Sequence, residues 1–131
     1  MLEHIKSDKR NGALEFFIEE RGPDRVLCRM PVGEGALNPY GLVQAGAMLW
    51  LADVTASVLV LESVELGPEG QGFPLAVDLH ASLLGNQRGG EVWSEARVVR
   101  RGRRVTVIRT RITGRSDRLL AEVTTTHVPA D

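Results

Sequence analysis

Seventeen consecutive residues, Ala45 to Leu61 (AGAMLWLADVTASVLVL), carry one charge, Asp53. Everything else in the run is apolar, small or a hydroxyl. The segment is slightly short for a membrane span and contains Gly46, Asp53, Thr55 and Ser57, so it reads as a buried helix and not a transmembrane one. A helix that is apolar nearly all round must be covered on most of its sides. The rest of the chain is therefore constrained to wrap it. A carboxylate within such a helix is costly to desolvate unless it is paired, hydrogen-bonded or protonated. Buried carboxylates of this kind concentrate at active sites; the alternative is an Asp at a helix end or facing water.

The flanking segments supply the cover. LEFFIEE and RVLCRMPV, within residues 14–32, read as two strands joined at the turn Arg21-Gly22-Pro23-Asp24. Gly33, Gly35, Asn38, Pro39 and Gly41 then crowd into a loop that feeds the helix near Gln44. Gly67-Pro68-Glu69-Gly70 turns the chain. From Phe73 the pattern has period two: Leu75, Val77, Leu79, Ala81 and Leu83 alternate with Ala76, Asp78, His80 and Ser82, as in a half-buried strand. Residues 91–100, 104–113 and 118–128 read as three further strands. Two strands, one long helix and four antiparallel strands predict an α+β fold, a curved antiparallel sheet wrapped around one long central helix. At 131 residues, with no repeat or long linker, one domain is expected over 1–131, with its core at about 14–128.

A net charge of −1 gives no electrostatic reason to expect a polyanionic partner. The single Cys28 has no disulfide or metal partner, fits a reducing cytoplasm, and reads as a small buried hydrophobe. His4, His80 and His127 show no ligand spacing, so no metal is expected. The opening MLEHIKSDKR is polar and charged, unlike a secretory signal. Nine arginines fall between Arg97 and Arg118. Few aromatics accompany them to stack bases, so nucleic acid is not the expected partner. Arg109, Arg111, Arg115 and Arg118 read as a solvated sheet face, His80 and Asp78 as a surface or interface pair, and Trp93 as sheet packing.

The segment Asn38-Pro39-Tyr40-Gly41-Leu42-Val43-Gln44-Ala45-Gly46, followed by Leu51-Ala52-Asp53, resembles the signature of hotdog-fold thioesterases. The branch it resembles is the phenylacetate-degradation type within the 4-hydroxybenzoyl-CoA thioesterase superfamily. That signature reads N-x-x-G-x-x-H-G-G, six residues, then Asp or Glu. The resemblance continues through PLAVDLHASLLG and EARVVRRGRR and covers about residues 15–128. It implies a hotdog fold and hydrolysis of an aryl or short- to medium-chain acyl-CoA to free acid and coenzyme A. It also implies an active site shared across a homodimer, and leaves open whether such dimers pair into a homotetramer as a dimer of dimers. The carboxylate of one subunit would face the loop and helix start of the other. No cofactor beyond the coenzyme A of the substrate is implied.

The residues make chemical sense in those roles. A glycine-rich loop entering a helix presents free backbone N–H groups at a positive dipole end, and the small Ala45 and Gly46 would let a thioester carbonyl approach them as an oxyanion site. Asp53, two turns on, can be nucleophile or general base. Ser57 falls on the same helical face and could hold the water or the carboxylate. Asn38 matches a position that helps orient the thioester in some relatives; a local loop turn is the other reading. Gln44 stands where the family has His and cannot carry a proton near neutral pH. That substitution keeps open a non-catalytic acyl-CoA-binding module, while a dehydratase, which would need a catalytic His, ranks last. Arg101, Gly102 and Arg103 form a turn near which family members often place coenzyme A phosphates, a geometry guanidinium suits. Met48 and Trp50 are candidates to line an acyl pocket, with core packing as the alternative.

Overall fold

A computed structural model describes residues 12–131, and the polar opening segment with His4 lies outside them. Six strands and one long helix follow in the order β1 (Phe17–Arg21), β2 (Arg25–Pro31), α1 (Ala45–Leu61), β3 (Pro74–Leu83), β4 (Glu91–Arg101), β5 (Thr106–Thr113) and β6 (Leu119–Pro129). The strands form one sheet in the order β1-β2-β4-β5-β6-β3, with every neighbouring pair antiparallel. The expected architecture is present, with strand ends within a few residues of the expected ones. The first strand is shorter than expected, because residues 14–16 approach the helix outside the sheet ladder.

Alternation sets which face of each strand meets α1. Val26, Cys28 and Met30 of β2 point inward, as do Val92, Ser94 and Ala96 of β4, Ile108, Thr110 and Ile112 of β5, and Val123 and Thr125 of β6. The helix answers with Ala47, Met48, Leu51, Ala52, Thr55, Ala56, Leu59 and Val60, an i, i+4 stripe that is fully buried. Cys28 is buried as expected, its thiol pushed up by desolvation with the Thr55 hydroxyl beside it. Leu51 is 0% exposed at the centre of this layer. Leu51→Ala is expected to lower the unfolding free energy by about 2–5 kcal/mol in denaturant titrations, the usual cost of a core cavity of this size.

The outer sheet face is salt-bridged. Arg25 binds Glu20 and Glu95, and Arg29 binds Glu19 and Glu91, so four carboxylates from β1 and β4 are stitched across β2. Glu95 loses solvation, yet bonds from Arg25 and Arg97 outweigh that loss and hold its carboxyl below the ordinary range. Arg109, Arg111, Arg115 and Arg118 are exposed, as the solvated-face reading expects. Trp93 is half-buried on this same face.

Two surfaces remain open. The helix face bearing Leu49, Trp50, Asp53, Val54, Ser57 and Val58 is only half-covered. Strand β3, hydrogen-bonded among the described residues to β6 alone, ends the sheet with Leu75, Val77, Leu79 and Leu83 each 41–59% exposed. The period-two stripe expected to be half-buried is largely open in the single chain, and a register shift between Ala76 and Asp78 breaks its alternation, so Leu75 and Leu79 do not share one face. His80 and Asp78 are exposed on it, as expected.

Candidate active site

The loop between β2 and α1 is folded back on the helix start. Asn38 Oδ1 accepts the backbone N–H groups of Tyr40 (2.8 Å) and Leu42 (3.1 Å), and Gly41 turns with φ of 81°, a conformation that disfavours a side chain. The Gln44 N–H donates to Ala36 O at 2.8 Å, and Gln44 Nε2 donates to Gly35 O at 2.9 Å. Gln44 is the N-cap residue but makes no side-chain capping bond, since its amide is used on the loop. Ala45 and Gly46 then supply the first helical N–H groups, which no carbonyl of the helix can reach. A Cβ on Gly46 would meet only Gln44 Oε1, at 3.5 Å, so this turn is open to an approaching group. Asn38 thus takes the local-turn reading with its side-chain oxygen, and Gln44 anchors the loop to the helix.

Asp53 projects from the open face of α1 between two grooves. One, of about 530 Å³, runs from Gly46, Leu49 and Trp50 past Asp53 to Ala76, Val77, Asp78 and Leu79 of β3. The other, of about 460 Å³, joins Asp53 and Ser57 to Phe16, Val54, Val58, Leu61 and Phe73. Ser57 shares the Asp53 face, as expected. The buried carboxylate anticipated from the apolar run is instead half-exposed, because Asp53 lies off the i, i+4 stripe that faces the sheet. Trp50 lines the first groove and packs edge-on against Phe16, with ring centroids 5.6 Å apart. Met48, a candidate for the acyl pocket, is 2% exposed in the core and lines neither groove. The two positions point to different sides because successive helical residues are rotated by about 100°.

The Arg101-Gly102-Arg103 turn lies elsewhere, at the C-terminal end of α1. With Arg104, Val60, Ser63, Val64, Thr106 and His127 it lines a cavity of about 190 Å³. Arg101 Nη2 donates to Pro23 O at 2.9 Å, which ties this turn to the β1–β2 turn. His127 is the residue that sequence spacing did not single out. Burial pushes its imidazole below the ordinary value, and the Asp53 carboxylate pulls the other way. Its position in phase with Val123 and Thr125, two residues apart along β6, was the available signal that it points inward. An unfolded histidine titrates near 6.5. Below that pH the unfolded chain binds a proton that folded His127 resists, so stability is full above about 6.5 and falls as pH drops toward the lower folded value. Thermal melts are expected to lose Tm between pH 7 and pH 5, with a smaller loss in His127→Asn.

Among the described residues no group of His, Cys, Asp or Glu could hold a metal ion, and no helix is long and apolar enough to cross a membrane. No family model and no curated protein matches the sequence. Solved structures do. A thioesterase enzyme from Staphylococcus aureus superposes with a TM-score of 0.82 at 20% identity, over 88% of this chain and 93% of that one. The chain has the fold of the hotdog thioesterases. A hypothetical thioesterase from Streptococcus pneumoniae, solved with coenzyme A, superposes with a TM-score of 0.77 at 19% identity, over 88% and 86% of the two chains. A phenylacetic acid degradation-related protein from Ralstonia eutropha gives 0.78 at 24% identity, over 86% and 83%. In this hotdog chain the helix start, the Asp53 carboxylate and the β3 edge therefore share one open surface.

Proposed function

We propose that this chain hydrolyses an acyl-CoA thioester to a free acid and coenzyme A, with Asp53 as the reacting carboxylate. The observation that carries the reading is the shared groove. Unsatisfied N–H groups at the α1 start and a carboxylate on the same helix face open onto one apolar surface. Thioesterases are also the nature of several proteins with this fold, one of them solved with coenzyme A.

The spacing argues for a site completed by a second copy. Gly46 and Asp53 are seven residues apart, about 10 Å along the helix axis at 1.5 Å per residue. A carbonyl carbon must sit about 3 Å from both its attacking group and its oxyanion donors. Even with the Asp side chain leaning toward the N-terminus, one chain does not bring both to one carbonyl. Two helices side by side and antiparallel do, with Asp53 of each copy opposite Ala45 and Gly46 of the other. The exposed Leu75, Val77, Leu79 and Leu83 of β3 are the apolar edge such a homodimer would cover.

In this arrangement Asp53 takes a proton from water, and the hydroxide adds to the thioester carbonyl. The Ala45 and Gly46 N–H groups stabilise the resulting oxyanion. Collapse expels the coenzyme A thiolate, which recovers the proton from Asp53. Direct attack by Asp53 would give an anhydride that water then opens, with the same balance. In this reading Ser57 holds the water, Gln44 keeps the loop on the helix without carrying a proton, and Trp50 in one groove and Phe16 in the other offer apolar walls to the acyl group. Arg101 and Arg103, at the far end of α1, suit the phosphates of coenzyme A. The test is thiol release, followed with a disulfide reporter, across aryl- and alkyl-acyl-CoA substrates. Release from one class supports hydrolysis and names the substrate. Saturable binding with no release from any would favour an acyl-CoA-binding module, the second reading that Gln44 in place of His motivates.

A further inference from the structure

The segment from Asn38 to Val43 lies outside the six-stranded sheet, yet it leads directly into the helix start. Two isolated bridges hold it, Leu37 to Val43 and Leu42 to Arg88. The Val43 N–H donates to Gln87 O at 3.0 Å. The Arg88 side chain reaches past its own bridge, and its Nη1 donates to Tyr40 O at 2.6 Å. A Cβ on Gly41 would lie 3.3 Å from that nitrogen, so the guanidinium is seated against the left-handed turn. The connection between β3 and β4 therefore grips the loop at Tyr40, Leu42 and Val43, just before Ala45 and Gly46.

That grip is itself anchored. Gln87 is 8% exposed, and its Oε1 accepts the Arg115 N–H at 2.9 Å. Its Nε2 donates to Gly89 O and Glu91 O, each at 2.9 Å. Arg115 Nη2 donates to Arg88 O at 2.8 Å. Two glycines make room for these contacts: a Cβ on Gly114 would fall 2.1 Å from Gln87 Oε1, and one on Gly90 would fall 2.7 Å from Arg115 Nη2. The β5–β6 turn thus backs the β3–β4 connection, which backs the loop. Arg88 is exposed, so core packing does not account for its seat, and it lines neither groove beside Asp53.

We propose that Arg88 is a positioning residue for the helix start, its guanidinium on Tyr40 O holding the loop that aims the Ala45 and Gly46 N–H groups. The inference rests on the reading of those groups as oxyanion donors. Such donors act only when fixed at hydrogen-bond distance from where the oxyanion forms, before it forms. A loop free to shift would forfeit that alignment while leaving the sheet and helix intact. A charged donor on a backbone carbonyl is a strong tether for a segment that has no ladder of its own.

Arg88→Met keeps an unbranched stem and removes the donor. Amide hydrogen exchange without substrate is expected to quicken about 10-fold at Leu42 and Val43, the scale of one hydrogen bond to a charged group, with the strands unchanged. Unaltered exchange at both amides would overturn the proposal. In steady-state thiol release, kcat is expected to fall by about 10²-fold, as for a reacting geometry displaced by about 1 Å, with KM little changed. Arg88→Lys restores a charged donor and is expected to recover much of that loss. A raised KM at unchanged kcat would overturn the proposal, since Arg88 would then meet the substrate directly. Absence of thiol release from the wild type with every substrate would count against hydrolysis instead. The exchange rates would still report whether Arg88 holds the loop, so the two failures are distinguishable.

Discussion

Asp53→Asn is expected to reduce thiol release from the preferred acyl-CoA by about 10²–10⁴-fold, the contribution typical of a positioned proton-transfer group. Asparagine keeps the shape of aspartate and can still hydrogen-bond, but it accepts no proton from water and forms no anhydride. Asp53 is half-exposed on the open face of α1, outside the buried stripe, so the substitution leaves the core untouched. Tm and oligomeric state should match the wild type while kcat/KM collapses. KM should change little, because the acyl group and the nucleotide are held by other residues. A folded Asp53→Asn protein with wild-type turnover would remove the carboxylate from the mechanism. The helix-start N–H groups would then remain as binding donors only.

Val77→Asp is expected to abolish activity by a different route. Val77 is 59% exposed on the edge strand, so a single chain tolerates an aspartate there at little cost. A second copy packed on β3 would bury that carboxylate without a partner, at several kcal/mol for each of two symmetric sites. Sedimentation should find a monomer with an unchanged circular dichroism spectrum, and thiol release should fall by at least about 10²-fold, since a misplaced reacting group forfeits that much. A Val77→Asp protein that stays dimeric and active would show that the copies meet elsewhere. Loss of activity in a persistent dimer would instead show that the new carboxylate acts inside the Asp53 groove that Val77 lines, and not through assembly. Together the two substitutions separate the carboxylate from the assembly that completes its site.

Much of this arrangement was legible in the chain because its signals are local. The loop glycines and Asn38 lead into the apolar helix at Gln44, and the loop is indeed pinned there by the Gln44 and Asn38 amides. The period-two stretches became the strands, and Cys28 became the buried hydrophobe that its strand context implied. The spacing from Gln44 to Asp53 carried the expectation that the carboxylate of one subunit faces the helix start of another; within one chain, Gly46 and Asp53 line one groove.

Other features were not legible, and α1 gives the reason. A helix that is apolar on every side has no preferred inner face in its sequence, so its rotation is chosen by the sheet it packs on. That rotation buried Met48, left Trp50 in the groove and turned Asp53 outward. Partners distant in sequence were hidden for the same reason. Phe73 and Ala76 reach Asp53 because the sheet returns β3 to the helix, Phe16 reaches it from the segment before β1, and His127 comes opposite Ala76 because β6 pairs with β3 in one particular register. Local pattern in the chain was enough for the helix, the strands, the loop that opens the helix, and the carboxylate two turns along. Which face carries that carboxylate, and what surrounds it, emerged with the packed fold, because helix rotation and strand register are set by long-range packing that no local pattern encodes.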